Sequence, residues 1–380
     1  MEKKVKNGLL VFVFVVLLLP LLEQNLKVIN SGKLYGYYTN TADTSFSLVG
    51  WFDGTYQERK ADFFNDHLGF RPDLLRLNGQ IAYSLFSKIY YGGEVMGSDH
   101  FLFFDDYIKA YYGKDFGGYK TLDERMKKIK ALQDTFSHLG KSLILVYAPC
   151  KAWYYPEHIP WGFRSSVARQ NNYVVSARIG DSLGINQIDL NKWFLKLKDT
   201  TKEMLYCRQG IHWTNYGSIL GSDTIVKYIE QLRHIHMTHP KWLELVHTTE
   251  ARDPDNDMGN IANLIFPVAK ETYCYPELYY PDDSTTAKPN IIFVGDSYTV
   301  NLIRTGVINH MGSTWQFWFY FDRIFNKDDN YGMNMKIASY DWEGELKKAD
   351  CIIILHTPRQ TDNIGSGFVE AAYKYYFPGK

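Results

Sequence analysis

Three uninterrupted apolar runs constrain the fold of this chain more than any other feature. They are Ser142–Ala148, Asn290–Val294 and Asp350–Leu355. Runs in which polar and apolar residues do not alternate are typical of strands buried on both faces of a parallel sheet. Segments with helical spacing separate the runs, at residues 166–184, 215–234 and 342–348. The sequence therefore predicts an α/β sandwich with a mostly parallel sheet.

A further apolar segment lies at the amino terminus. Lys3, Lys4 and Lys6 precede an apolar run from Gly8 to Leu22. Basic residues before such a run hold the amino terminus in the cytoplasm and send the following chain across the membrane. The run is short for a spanning helix and long for the core of a signal peptide, and no small-x-small cleavage site follows it. We expect an uncleaved, single-pass signal anchor in the cell membrane. The rest of the chain is then extracytoplasmic, which means periplasmic in a Gram-negative cell.

The chain length suits one large domain behind this anchor. The expected segments are 1–30 as cytoplasmic tail and anchor, 31–55 as a polar, turn-rich stalk or linker, and 56–380 as a single α/β domain. Hydrophobic residues make up 45% of the 380 residues, so a large core can be buried.

Charge and cysteine content exclude some classes of function. Lys+Arg and Asp+Glu balance at 42 each, so the cationic surface that a nucleic-acid partner requires is missing. The four cysteines form no C-x-x-C pair, which argues against zinc or redox motifs. We therefore expect no metal and no cofactor. A disulfide between Cys207 and Cys274 is possible outside the cytoplasm, but the sequence leaves it open.

The sharpest chemical signal follows the second apolar run, where the chain reads Gly295-Asp296-Ser297. Ligands of open α/β sheets bind at the carboxyl ends of the strands. A serine on a tight turn there presents its hydroxyl at the sheet edge, and the backbone N–H groups of the turn can receive an oxyanion. The alternative is an ordinary serine at a helix N-cap.

A serine nucleophile needs a base, because its free hydroxyl is a poor nucleophile. His212 is the candidate, since it stands directly before a long helical segment. A histidine in a loop is more often simply solvated. The ends of the other two runs add Lys151, Tyr155 and Arg359 as candidate site-lining residues, with packing or surface ion pairs as the alternative.

Several short stretches, in order along residues 50 to 370, resemble the motifs of one family, the SGNH-hydrolase-like alginate O-acetyltransferases with their D-H-H-W relatives. The stretches are Trp51–Tyr56, Phe63–Arg71, Phe101–Phe104, Pro149–Lys151 with Tyr155–Glu157, His212–Thr214 with Gly217, Asp257–Asn260, Gly295–Tyr298, and Ala349–Asp350 with Arg359 and Asn363.

The resemblance implies an SGNH-like α/β/α sandwich in which the histidine block precedes the serine block, as His212 precedes Ser297 here. Chain order is no obstacle, because triads are defined by geometry. The resemblance makes Ser297 and His212 catalytic and adds Tyr298 to Lys151, Tyr155 and Arg359 as substrate-binding candidates. It also implies acetyl transfer to an exported polysaccharide, with acetyl supplied through a membrane-bound O-acyltransferase.

Gly210 departs from the family pattern, because the family has an aspartate two residues before the histidine. Three interpretations follow. Another acid substitutes, with Asp257, Asp296 and Asp322 as candidates; a Ser-His dyad works without an acid; or the site is degenerate. A second departure is His356-Thr357-Pro358, where the family has acidic residues before the arginine.

Three functions remain open on the sequence alone. The first is O-acetyl transfer to an exported or cell-surface polysaccharide through an acyl-serine on Ser297. The second is an esterase that uses the same site to remove acetyl groups with water. The third is a non-catalytic glycan-binding component of an export or acetylation machine.

Overall fold

The computed structural model describes residues 2–36, 39–90, 92–164, 170–281, 283–327 and 335–379. The chain forms two compact units. One comprises Met1–Gly92 with Gly259–Val268, and the other comprises Gly93–Met258 with Ala269–Lys380. The predicted boundaries at residues 30 and 55 stay predictions. The first four residues of the predicted helix 166–184 lie outside the described residues.

The first unit contains the helices α1 Glu2–Leu26, α2 Leu48–Asp53, α3 Thr55–His67 and α4 Arg71–Phe86. α1 is exposed along its apolar length and is long and apolar enough to cross a membrane. The predicted amino-terminal apolar helix is therefore confirmed, and it is a candidate signal anchor. Pro72 lies in the first turn of α4, where its missing N–H costs nothing.

The second unit carries the strands and the remaining helices. Its strands are β1 Glu94–Met96, β2 Leu102–Phe104, β3 Ser142–Tyr147, β4 Gln187–Asp189, β5 Lys241–Thr248, β6 Tyr273–Tyr279, β7 Ile291–Gly295, β8 Trp315–Phe319, β9 Arg323–Asn326, β10 Met335–Lys336 and β11 Cys351–His356. Its helices are α5 Asp105–Tyr111, α6 Tyr119–His138, α7 Lys151–Tyr154, α8 Asn172–Leu183, α9 Leu190–Leu197, α10 Asn215–Arg233, α11 Asp257–Ile261, α12 Tyr298–Arg304, α13 Ile308–Met311, α14 Trp342–Lys348 and α15 Phe368–Tyr376. The last three residues of α11 belong to the first unit.

The central sheet has the order β10-β9-β8-β7-β11-β3-β4 among the described residues. The strands from β8 to β4 are parallel, and β9 and β10 are antiparallel additions at one edge. The three predicted apolar runs are β3, β7 and β11, which are adjacent at the centre. The predicted α/β class with a mostly parallel sheet is therefore confirmed.

Burial on both faces explains why these strands show no alternation. In β3, Leu143 and Leu145 pack in one hydrophobic core, and Ile144 and Val146 pack in another. The first core also contains residues of α6 and α15, and the second contains residues of α10 and α12. Each strand position therefore favours an apolar side chain, whichever face it points to.

Two local sequence patterns have different outcomes. The short apolar runs around residues 94–104 are typical of a hairpin, and they form antiparallel β1 and β2. Thr121-Leu122-Asp123-Glu124 has the pattern of a capping box, but α6 begins earlier, at Tyr119, with Gly118 at its N-cap and no side-chain cap. The antiparallel ribbon of β5 and β6 was not predicted, because the outer half of β5 is exposed and its pattern resembles that of a loop.

Phe293 tests the importance of the central strand for stability. Its side chain is completely buried in β7, so Phe293→Ala leaves a cavity and should lower the free energy of unfolding by about 3–5 kcal/mol. Trp161→Ala is the control, because Trp161 is 86% exposed and its removal should change stability by less than about 0.5 kcal/mol. Chemical denaturation measures both. Equal effects of the two substitutions would contradict this placement of β7.

Candidate active site

Ser297 lies at the carboxyl ends of the sheet strands, two residues after the last residue of β7, and immediately precedes α12. Gly295 permits the tight exit from the strand, because a Cβ there would collide with the backbone oxygen of Leu355 on β11. The Ser297 hydroxyl makes no cap hydrogen bond to α12. Its Oγ lies 2.8 Å from Nε2 of His212. Ser297 therefore occupies the N-cap position of α12 without capping the helix, and its hydroxyl is directed at His212.

Asp257 supplies the carboxylate behind His212. Its Oδ2 lies 2.5 Å from Nδ1 of His212, and its Oδ1 accepts hydrogen bonds from the backbone N–H groups of Ile211 (2.9 Å) and Met258 (2.8 Å). The histidine and aspartate side chains are only 12% and 15% exposed. With Nδ1 protonated and donating to Asp257, Nε2 is free to accept the serine proton.

The backbone around Gly210 explains why the family aspartate is missing from that position. A Cβ on Gly210 would lie 2.7 Å from the backbone oxygen of Asp255 and 3.4 Å from that of Pro254. The loop that carries Asp257 therefore occupies the space that a side chain at position 210 would need. Asp257 reaches His212 across 45 positions of sequence instead of two.

The other two candidate acids have different partners. Asp296 is buried, and its carboxylate accepts from the N–H of Tyr298 (3.0 Å) and from the N–H and hydroxyl of Thr357 (2.8 and 2.9 Å). These bonds join the serine turn to the end of β11, which gives the unusual His356-Thr357 sequence a structural role. Asp322 is 63% exposed and lies beside Arg323. Neither acid contacts His212 among the described residues.

The residues that follow Ser297 hold the histidine segment in place. Tyr298 is buried, and its hydroxyl donates to the backbone oxygen of Ile211 at 2.5 Å. Asn301 donates to the oxygen of Trp213 at 2.9 Å, and the Trp213 indole donates to the oxygen of Tyr298 at 3.3 Å. The geometry therefore favours a positioning role for Tyr298 over the predicted substrate contact.

Lys151 supports the same segment from the other side. It is completely buried, and its ammonium donates to the backbone oxygens of Arg208 and Gly210, each at 2.7 Å. The rings of Phe101 and Phe103 flank it. Burial lowers the pKa of Lys151 to about 7, and nearby acids, of which Glu271 has the largest effect, oppose that change. A positioning role is again favoured over the predicted substrate contact.

Glu94 was missed by sequence reasoning, because a glutamate in a short hairpin is usually solvated. Neither of its carboxyl oxygens has a hydrogen-bond partner among the described residues. Burial, and after it the charge of Asp257, raise the pKa of Glu94 to about 8, while Lys151 opposes the rise. A carboxyl group that keeps its proton near neutral pH therefore lies close to the acid of the site.

Tyr155 and Arg359 are partly accessible. Burial raises the pKa of Tyr155 to about 12, and the Lys198 ammonium lies 4.9 Å from its ring. The Arg359 side chain is 35% exposed and pairs with Asp106 at 2.7 Å. Their predicted contact with substrate stays a prediction.

Tyr320 is a second residue that the sequence did not single out. It follows β8, and its N–H donates to the oxygen of Gly295 at 2.8 Å. Tyr320 and Phe321 both have φ of 48°, a left-handed conformation that is uncommon outside glycine and costs energy. Burial raises the pKa of Tyr320 to about 12, and hydrogen bonding with Ser297 and Gln360 acts against this rise. Tyr320 therefore lies near the Ser297 side chain, with a phenol that stays protonated at neutral pH.

The arrangement contains the parts of a nucleophilic acyl-transfer site. A serine hydroxyl, a histidine base and an orienting carboxylate follow one another at 2.8 and 2.5 Å. These groups act without a metal in the usual triad chemistry. A group of metal-ligand type among the described residues, Glu203, His247 and Cys274, involves none of these three side chains.

The close approach at Gly210 yields a stability prediction. Gly210→Ala should lower the free energy of unfolding by about 1–3 kcal/mol, because the new methyl group forces the Asp255 backbone to move. Gly162→Ala is the matched control, since a Cβ there would meet no heavy atom within 4 Å. Denaturant titration of both variants measures the difference. An unchanged Gly210→Ala protein would show that the two segments are not in contact.

Glu94 yields a pH prediction. Its folded-state pKa of about 8 exceeds its ordinary value of 4.5, so the folded protein holds this proton more tightly than the unfolded chain. Wild-type stability should therefore fall as the pH rises through that window, and Glu94→Gln removes the loss. The gain in melting temperature of Glu94→Gln over wild type should be larger at about pH 9 than at about pH 5.

The control for this measurement is Glu124→Gln, since Glu124 lies on an exposed position of α6. Its difference from wild type should stay constant over the same range. A gain for Glu94→Gln that shrinks as the pH rises would contradict a buried, protonated Glu94.

Comparisons with known proteins place this site in a family. Residues 95–317, more than half of the chain, match the family described as ALGX, SGNH hydrolase-like domain, acetyltransferase AlgX. A comparison with curated protein sequences gives no match.

The chain is also similar to several solved structures. The O-acetyltransferase domain of Pseudomonas putida AlgJ is 15% identical, and the match covers 74% of this chain and 99% of that one with a TM-score of 0.50. Pseudomonas aeruginosa AlgX is 16% identical, with 76% and 71% covered and a TM-score of 0.47. Bacillus cereus PatB1 with a sulfonyl adduct is 10% identical, with 70% and 97% covered and a TM-score of 0.44. The AlgJ likeness confirms the predicted SGNH-like fold. The match over residues 95–317 shows that this chain belongs to the SGNH-hydrolase-like acetyltransferase family of AlgX.

Proposed function

We propose that this protein transfers O-acetyl groups to an exported or cell-surface polysaccharide through an acyl-serine on Ser297. The observation that carries the proposal is the hydrogen-bonded series of Ser297, His212 and Asp257. Membership of an acetyltransferase family supports acetyl as the group that is moved. Membership of the AlgX family, which the sequence resemblance links to acetyl transfer onto exported polysaccharides, supports a polysaccharide acceptor.

The first half-reaction acylates the serine. The Ser297 oxygen forms a bond to the carbonyl carbon of an acetyl donor while its proton moves to Nε2 of His212. The bond from that carbon to the donor oxygen then breaks, and His212 returns the proton to the leaving oxygen. Asp257 stabilises the imidazolium that exists between these steps.

The second half-reaction deacylates the serine. A sugar hydroxyl gives its proton to His212 and attacks the acyl carbon, and the bond to the Ser297 oxygen breaks. The Ser297 oxygen recovers the proton. Oxyanion stabilisation in both halves is assigned to the backbone N–H of Ser297 and neighbouring donors, because charge develops within their reach.

The complete series argues against a degenerate site and against a dyad without an acid. A degenerate site would not be expected to keep a half-buried, hydrogen-bonded serine–histidine–aspartate arrangement supported by Lys151, Tyr298 and Asn301. The loop that carries Asp257 also fills the place of the missing family aspartate. The relay acid is therefore proposed to be Asp257, with Asp296 as part of the scaffold of the serine turn.

The proposed cellular location of the reaction rests on helix α1. We propose that the helix anchors the chain in the cell membrane and leaves the catalytic unit outside the cytoplasm. A donor delivered by a membrane-bound O-acyltransferase would then meet the site on the outer side. Whether sugar or water is the acceptor depends on how well the site excludes water and binds sugar.

Substitution of the three series residues tests the mechanism. In the full-length chain in detergent, Ser297→Ala should abolish acetylation of the protein by 4-nitrophenyl acetate, seen by intact mass. Asp257→Asn should slow turnover by up to ~10⁴-fold, because the wrong histidine tautomer is favoured. Asp322→Asn is the control and should match wild type. Normal turnover of Asp257→Asn would overturn the assigned relay acid.

Product analysis separates transferase from esterase. Acetyl transfer to added oligosaccharide, with little release of acetate in its absence, supports the proposal. Acetate release that oligosaccharide neither speeds nor diverts would show that water is the acceptor. An acylated Ser297 that transfers to neither would leave only a binding function and would contradict the proposal.

A further inference from the structure

A second group of reactive side chains lies on the antiparallel ribbon of β5 and β6. Glu203, His247 and Cys274 each offer one ligand atom, and these atoms all lie within 4.8 Å of one another. Nε2 of His247 is 3.0 Å from Oε2 of Glu203. The four cysteines of the chain are free thiols, so Cys274 is not engaged in a disulfide.

The backbone fixes two of the three side chains relative to each other. His247 and Cys274 are direct partners in the register of β5 and β6. Partners in an antiparallel pair present their side chains on the same face of the ribbon. Glu203 arrives from the segment before the bridge between Tyr206 and Trp213. Chain topology therefore brings together three residues that are far apart in sequence.

The donor set has a defined chemical preference. A thiolate, an imidazole and a carboxylate are the three ligand types that zinc accepts, and protein zinc sites commonly combine them. Calcium and magnesium prefer all-oxygen sites. Zinc bonds of about 2.0–2.3 Å put neighbouring tetrahedral ligands about 3.5 Å apart. The observed atoms therefore need only small side-chain movements to reach that geometry.

We propose that Glu203, His247 and Cys274 form a zinc-type transition-metal site, with a fourth position open to water. Binding replaces the thiol proton of Cys274 with a sulfur–metal bond, and the proton goes to solvent. The side chains are accessible from one direction, because His247 is 48% exposed and Glu203 is 18% exposed, while Cys274 is buried beneath them.

A bound metal would act on the support of the relay acid. Tyr275 follows Cys274 in β6, and its hydroxyl accepts from the N–H of Arg252 at 2.6 Å. Arg252 begins the loop that leads to Asp255 and Asp257. A metal that ties Glu203 to the ribbon would therefore stiffen the strand against which this loop is hydrogen-bonded. The role assigned to the metal is structural, and the proposal does not depend on acetyl transfer.

Cobalt titration tests the site directly. The full-length chain in detergent, treated with reductant and chelator and then freed of both, receives Co²⁺. One equivalent should bind and produce a thiolate-to-cobalt charge-transfer band in the near ultraviolet, with visible bands of a tetrahedral ion. Zn²⁺ should displace the cobalt and remove these bands. It should also raise the melting temperature of the wild type.

Three variants and two controls identify the ligands. Cys274→Ser should remove the charge-transfer band, and His247→Gln and Glu203→Gln should weaken binding by more than the ~10- to 100-fold that loss of an outer-shell partner costs. Cys207→Ser and Cys351→Ser replace buried thiols outside the group and should bind as the wild type does.

Two outcomes would overturn the proposal. In one, the wild type shows no charge-transfer band at micromolar protein with a few equivalents of cobalt. In the other, Cys274→Ser keeps the band while Cys207→Ser or Cys351→Ser loses it. In either case, the Glu203–His247 contact is a surface ion pair and nothing more. Melting temperatures without metal show whether each variant is folded, so a folding defect is not mistaken for a lost ligand.

Discussion

The close approach of the backbone at Gly210 to the backbone at Asp255 is the constraint on which the site depends. The Asp255 carbonyl oxygen lies 2.7 Å from the place that a Cβ at position 210 would occupy, so glycine is strongly favoured there. The same approach brings the Asp257 carboxylate onto Nδ1 of His212. One packing arrangement therefore explains both why position 210 carries no acid and why Asp257, from a distant loop, contacts the histidine.

The local parts of this structure could be predicted from the sequence, and the tertiary parts could not. Strands β3, β7 and β11 are visible because burial on both faces leaves an unbroken apolar run. Ser297 is visible because it follows such a run. Asp257 could not be ranked above Asp296 or Asp322, because its contact with His212 depends on how a loop folds back across 45 positions of sequence.

The roles of two buried polar residues could not be predicted from the sequence for a related reason. Lys151 was expected to face substrate because it follows the end of a strand, and Tyr298 because of the family resemblance. Both instead donate hydrogen bonds to backbone oxygens of the histidine segment. An unpaired buried carbonyl is costly. The two side chains satisfy the carbonyls of Gly210 and Ile211, and Lys151 adds a second donor to the Arg208 carbonyl, which also accepts from the N–H of Leu102. Glu94 is a further buried polar group near Lys151 and Asp257, and its carboxyl group has a raised pKa.

His212 and Asp257 come from distant parts of the chain. The catalytic arrangement therefore forms only when the tertiary structure is complete. In a D-x-H arrangement, the two groups are neighbours even in an extended chain. Here an excursion of the 253–257 loop would separate Asp257 from His212 while leaving the serine and histidine in place. A molecule in which this loop is undocked would therefore hold Ser297 and His212 without the carboxylate that orients the histidine. In the proposed acyl transfer, cleavage of the donor would then depend on docking of this loop.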